Sequence, residues 1–264
     1  AQPNRRLGNQ MCLVASAYGF ARLHNRSLLV GGNTSAYLVD PFPKVREVMA
    51  GSYIPQSVCK VWAAHFTYNE TRLHSIPACN ISIHGFFDSW KYFGHVQEEV
   101  RDLFQLTEQD VEYAYEYLTS LNADDGTTFV GMHIRHGDKA SERVYSRGTR
   151  LPSTEYLYKA MDYFLQKYEK VHFVVCSDSI KWCKEELGNL THKISFSEAR
   201  RDVFKDLALL IQCNHTIITH GTLSWWAGFL AGGDVVYFDR PFANEVRVNE
   251  SLKNHFLPHW VGFH

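Results

Sequence analysis

The chain has no excess of charge of either sign: 27 basic against 28 acidic residues in 264 leave a formal net charge of -1. Such a balance makes no positive field to gather nucleic acid or an anionic membrane, which excludes a polyanion as the main partner. No cysteines stand in the paired C-x-x-C spacing of a zinc site. No D-x-D occurs either, so the two carboxylates that would hold a divalent ion on a nucleotide diphosphate are missing. There is no internal repeat, low-complexity tract, signal peptide or membrane anchor in these residues, and an anchor is expected upstream of Ala1. One stretch, 207 to 233, lacks charge for long enough to span a bilayer. Gln212, Asn214, His215, His220 and Gly221 interrupt it, so it reads as buried helix, strand and helix.

Hydrophobic residues at 45% and aromatics at 14% describe a packed globular chain. At ~150 residues per domain the length predicts about two domains. Six cysteines and seven Asn-x-Ser/Thr acceptors favour an oxidising secretory lumen. Asn25, Asn33, Asn69, Asn80, Asn189 and Asn249 are candidate glycan sites. Asn214, in "QCNHTIIT", reads as strand entry and is expected to be too buried. Cys59 and Cys79 are expected to pair, closing a loop of about twenty residues worth roughly 3 kcal/mol in the chain-entropy model.

From Thr128 onward strand and helix alternate. "TFVGMHI", "VHFVVCS", "KISFS", "HTIIT" and "VVYFD" read as strands. Helices run through "STEYLYKAMDYFLQKYEK", "SIKWCKEEL", "DVFKDLALLIQC" and "TLSWWAGFLA". Continuous apolar strands between amphipathic helices predict a doubly wound parallel sheet in an α/β domain. In the first half, "NQMCLVASAYGFARLH" places Met11, Val14, Ala15 and Tyr18 on one helical face and leads into "SLLV" as a strand. A strand is expected before Gly8, and two more helices across "HVQEEVRDLFQL" and from Gln109 to Leu121.

Ligands of open parallel sheets bind beyond the carboxyl ends of the strands. "FVGMHIRHGD" ends there, and the two-residue period of a strand turns His133 and Arg135 the same way, toward that crevice. Taken alone, Arg135 and Asp138 read as an ion pair closing the strand. Two other strand ends favour a ligand site. "VVCSD" brings Asp178, and "IITHGTLS" brings a glycine turn with Thr222 and Ser224 at a helix start. Such a start offers unpaired N–H groups and the positive end of a dipole. Arginine with a helix N-terminus makes a diphosphate cradle that needs no metal. The plainer reading of Thr222 and Ser224 is helix capping.

Five segments carry a family resemblance: "RLGNQM" at 6 to 11, "HGFFDSWKYF" at 84 to 93, "HIRHGD" at 133 to 138, "KDLALLIQCNHTIITHGTLSWWAGFLAGGDVVYF" at 205 to 238, and "FLPHW" at 256 to 260. They resemble the motifs of the α-1,2-fucosyltransferases, glycosyltransferase family 11. Residues 31 to 80 and 139 to 152 are poorly covered. The resemblance implies a GT-B-like α/β fold of two Rossmann-like domains facing a cleft. An acceptor-side domain is expected at 1–125, a GDP-fucose-binding domain at 126–240, and a segment at 241–264 that packs back toward the first. The implied reaction moves fucose from GDP-fucose to the 2-hydroxyl of a terminal β-galactoside, with inversion and without a metal or cofactor, in the Golgi lumen. By the same resemblance Arg135 takes the diphosphate, His133 and Asp178 the nucleoside side, Asp206 the guanine or ribose, and Thr222 and Ser224 the phosphate. Asn9 and Gln10 face the cleft.

His136 departs from the family, whose motif has a second arginine there, and this puts the linkage formed in question. In-line attack by an acceptor hydroxyl calls for a carboxylate to take its proton. Glu142 is assigned that role ahead of Asp138. Trp90, Tyr92 and Trp225 are candidate sugar platforms, with core packing the plainer reading. Transfer in another linkage, α-1,6 or protein O-linked, and a catalytically silent lumenal glycan-binding protein remain open readings.

Overall fold

A computed structural model describes residues 7–30, 38–48, 58–137, 148–199 and 202–264. Asn33, Asp138, Glu142 and the strand expected before Gly8 lie outside them. The chain divides into two compact units, 1–107 with 249–257, and 108–248 with 258–264.

The elements in chain order are α1 (Leu7–Leu23), α2 (Pro43–Glu47), β1 (Val58–Ala63), α3 (Glu70–His74), β2 (Asn80–Gly85), α4 (Gln97–Leu103), α5 (Glu108–Ser120), β3 (Thr128–Ile134), α6 (Thr154–Lys167), β4 (Val171–Ser177), α7 (Ile180–Leu187), β5 (Lys193–Phe196), α8 (Val203–Gln212), β6 (His215–Ile218), α9 (Thr222–Ala231), β7 (Val235–Phe238), α10 (Glu245–Asn254) and β8 (Val261–Phe263). No described helix is long and apolar enough to cross a membrane.

In the second unit six parallel strands are ordered β5-β4-β3-β6-β7-β8. Counted from β3 this is the 3-2-1-4-5-6 order of the doubly wound fold. The order reverses between β3 and β6, so the crevice at their carboxyl ends is the switch point. Val130, Met132, Ile134, Phe173, Val175, Ile217 and Val236 fill the core with Tyr156, Leu157, Ala160, Met161 and Phe164 of α6. That helix starts where its sequence says it should: Ser153 Oγ accepts the Tyr156 N–H at 3.1 Å. Asp202 caps α8 in the same way, accepting from the N–H groups of Phe204 and Lys205. Tyr156 Oη donates to the carbonyl of Ile218 at 2.7 Å, pinning α6 beneath the end of β6.

The first unit departs from two expectations. Of Ser27 to Val30, expected as a strand, Val30 alone takes part in a β-bridge among the described residues, and it donates its N–H to the Val48 carbonyl at 3.0 Å. Nor does α1 bury a single stripe: Gln10, Met11, Cys12, Leu13, Val14, Ala15 and Ser16 are all buried, while Tyr18 is half-buried and donates to Glu99 at 2.9 Å. Gly19 lets the helix touch backbone, since a Cβ there would lie 2.1 Å from the Tyr92 carbonyl oxygen. The sheet of this unit pairs β1 and β2 in parallel, and Cys59 is disulfide-bonded to Cys79.

The "HGFFDSWKYF" segment is the unit's anchor. The Asp88 carboxylate, buried, accepts the Phe66 N–H at 2.7 Å and contacts His65 Nδ1 at 2.7 Å, while its carbonyl accepts from His255 Nδ1 at 2.6 Å. Ser89 Oγ donates to the Asn254 carbonyl at 2.6 Å. Phe66 and Phe87 adopt left-handed conformations, φ 57° and 47°, around this knot. Aromatic residues hold such angles only where their surroundings impose them.

Candidate active site

The β3–β6 ladder is prolonged past its last strand residues by one side chain. Thr219 donates its N–H and its hydroxyl to the carbonyl of His133, at 3.2 and 3.1 Å, and its Oγ1 accepts the N–H of Arg135 at 2.9 Å. This fixes the backbone at Arg135 and hence the direction of its side chain. The guanidinium lies against Gly221, where a Cβ would stand 2.9 Å from Nη1. Gly221 is the N-cap of α9, at φ 100° and ψ 161°, and no side chain caps the helix there. The first turn of α9 and the Arg135 guanidinium thus meet at the switch point, where dipole and cation act with the same sign.

His133 sits deeper on the same face of β3 and is buried. Its Nδ1 is 2.5 Å from Ser224 Oγ, and that hydroxyl donates to the carbonyl of His220 at 3.0 Å. A hydroxyl has one proton, so Ser224 accepts from His133, Nδ1 carries the hydrogen, and Nε2 is left as an acceptor. Burial, with the Arg135 charge second, pushes the His133 imidazole down to about 4, against a smaller opposing effect of Asp178. Ser224 therefore acts on the histidine, its hydroxyl committed at both ends.

Asp178 Oδ1 accepts the N–H groups of His136 and Gly137, at 2.9 and 3.0 Å, and so folds the turn that follows β3. His136 lies flat on the Trp182 indole of α7, centroids 4.1 Å apart and planes 10° apart. In place of a second guanidinium the turn has a planar ring clamped by stacking. Asp206 stands at the start of α8, where its Oδ1 accepts from Ser197 Oγ at 2.5 Å; burial raises its pKa above the usual carboxylate value. Thr222 is the first residue of α9. Asn9 and Gln10 lie on the first turn of α1 in the other unit, with Trp90 half-buried against Gly94. Tyr92 and Trp225 are core residues, 0% and 2% exposed. Among the described residues no group of three His, Cys, Asp or Glu side chains converges as a metal site.

The whole chain, residues 1–264, matches the profile of glycosyl transferase family 11. The chain belongs to that family. Within family 11 it is 33% identical to galactoside alpha-(1,2)-fucosyltransferase 1 of Homo sapiens over 98% of this chain and 73% of that protein. Its fold is similar to that of an Arabidopsis thaliana FUT1 variant in complex with GDP, with TM-score 0.55 and 13% identity, over 90% of this chain and 70% of that one. It is also similar in fold to the NodZ alpha-1,6-fucosyltransferase of Bradyrhizobium soaked with GDP-fucose, with TM-score 0.51 and 15% identity, over 91% and 95% of the two chains.

Sequence reasoning missed Thr219, Trp182 and Ser197. Only Thr219 left a signal, as a hydroxyl at the last position of an apolar run that ends two residues before Gly221. Trp182 and Ser197 act across 46 and 9 residues of chain, and nothing local marks them.

Burying His133 in its neutral form is expected to make this family 11 chain acid-sensitive. A histidine whose folded value lies below its unfolded value of ~6.5 stabilises the fold fully above that pH and loses the effect as pH falls toward about 4. The difference is worth roughly 3 kcal/mol at 1.36 kcal/mol per pKa unit. Melting temperature is expected to be level above pH 7 and to fall between pH 6.5 and 4. His133→Gln, neutral throughout, is expected to flatten part of that fall; an unchanged slope would show that His133 does not contribute.

Proposed function

We propose that this family 11 chain transfers L-fucose from GDP-fucose to the 2-hydroxyl of a terminal β-galactoside, inverting the anomeric centre. The observation that carries the reading is the Arg135 guanidinium packed on the uncapped glycine start of α9. The human relative's name, a galactoside alpha-(1,2)-fucosyltransferase, supplies the acceptor class and linkage. GDP in the Arabidopsis structure suggests the leaving group. As the acceptor oxygen bonds to C1 of fucose, the C1–O bond to the terminal phosphate breaks and GDP leaves with the electron pair. Arg135 and the α9 amides meet the charge that gathers on that phosphate. His133 offers Nε2 to a hydroxyl of the donor, held in that tautomer by Ser224. Asp178 shapes the turn that presents Arg135, and Asp206 faces the nucleoside. The hydroxyl proton goes to a carboxylate, with Glu142 the assigned base ahead of Asp138.

Arginine and helix amides neutralise the diphosphate without a cation, so transfer is expected to be unchanged by EDTA. Loss of activity in chelator, restored by manganese, would overturn the metal-free reading. The deciding experiment is a panel of acceptor glycans with GDP-fucose and linkage analysis of the products. Fucose on the 2-hydroxyl of galactose is expected; fucose on the 6-hydroxyl of a core sugar or on a protein hydroxyl would replace the acceptor assignment. Consumption of GDP-fucose distinguishes any of these enzymes from a silent glycan-binding protein. Candidate N-glycan sites and the Cys59–Cys79 bond support work in the Golgi lumen.

A further inference from the structure

The outer face of the two-stranded sheet in the first unit is unused by the proposed chemistry. Register sets Val58, Lys60 and Trp62 of β1 beside Asn80, Ser82 and His84 of β2. Successive residues alternate faces, so these six share one side. Val61, Ala63, Ile81 and Ile83 turn the other way into the core. Trp62 is 58% exposed and Val58 40%; every other tryptophan is half-buried or buried. An open indole beside hydroxyl, imidazole and ammonium groups suits a ligand with both an apolar face and many hydroxyls.

The same face supplies a tether for such a ligand. Asn80-Ile-Ser is an N-glycan acceptor, and Asn80 is exposed at the start of β2. Its side-chain amide makes no hydrogen bond to a described residue. By contrast Asn69 Oδ1 caps α3, and Asn214, exposed rather than buried as expected, has its Oδ1 taken by the Phe129 N–H at 2.8 Å. The disulfide between Cys59 and Cys79 ties the starts of both strands and holds Asn80 beside Val58. From there Trp62 lies four residues along the sheet, about 13 Å.

We propose that Asn80 carries an N-linked glycan whose first sugars lie along this face and pack on the Trp62 indole. In the attachment step Asn80 Nδ2 bonds to the anomeric carbon of an oligosaccharide as that carbon's bond to a lipid-linked diphosphate breaks. The diphosphate keeps the electron pair and the amide loses a proton to solvent. Covalent attachment presents the sugars at an effective concentration in the millimolar range, so a weak stacking contact suffices to cover the face.

The test uses the chain secreted from a eukaryotic cell. The peptide containing Asn80 is expected to carry a glycan by mass spectrometry, and acrylamide quenching of tryptophan fluorescence to rise about twofold after enzymatic deglycosylation. Asn80→Gln is expected to quench like the deglycosylated protein. In Trp62→Ala, a change at an exposed position, deglycosylation should leave quenching unchanged. An unmodified Asn80, quenching insensitive to glycan removal, or shielding of Trp62 that survives Asn80→Gln would each overturn the proposal, the last by giving the face to a different occupant.

Discussion

Arg135→Lys is expected to lower turnover with GDP-fucose by ~100-fold or more at saturating acceptor while changing the melting temperature little. The terminal phosphate of GDP gains charge as the fucosyl bond breaks, so a fixed pair of N–H donors there stabilises the transition state more than the bound substrate. Arginine provides that pair in one plane, and Thr219 fixes the backbone it springs from. Lysine keeps the charge and loses the fork. The neighbouring position cannot compensate, because His136 is stacked on Trp182 with its backbone N–H held by Asp178. Arg135→Ala should be at least as inactive. If Arg135→Lys turned over near normally, or if its loss tracked unfolding, the arginine would be a strand-end brace and the phosphate site would lie elsewhere.

The second unit was legible because its local signals agree with its tertiary role. Buried strands such as "VHFVVCS" have no polar alternation, the helices between them carry Ser153 or Asp202 at the cap, and Gly232 ends α9 in a left-handed conformation. β8 was not legible: "VGF" is three residues with a glycine, a strand only because β7 offers it an open edge. In the first unit α1 is buried on nearly every side, so its periodicity held little information. The strand-end positions of His133, Arg135 and Asp178 could be read from spacing alone. Their partners could not, since Ser224 is 91 residues from His133 and Asp178 is 42 from His136. A sequence shows which side chains reach a crevice; which of them hold the others there depends on contacts that only folding makes.

Gly221→Ala tests the cradle from its other side, and two costs are expected to separate. At φ 100° and ψ 161° the backbone lies in a region that only glycine occupies freely, so alanine should cost of order 1–3 kcal/mol of stability. The new Cβ would also stand 2.9 Å from Arg135 Nη1. That atom is the tip of a long side chain, so moving it aside adds little to the stability cost. It is also the atom proposed to meet the phosphate, and a displacement on the order of 1 Å in a positioned group can cost ~100-fold in rate. Turnover should therefore fall ~100-fold at a temperature where the variant is still folded. If the loss runs through the guanidinium, Gly221→Ala should add almost nothing to the defect of Arg135→Ala, because the two changes remove one interaction. Measuring kcat and melting temperature for both single variants and the double variant decides it. Additive losses would mean that Gly221 and Arg135 serve separate purposes, and the diphosphate site drawn from their contact would fall with that result.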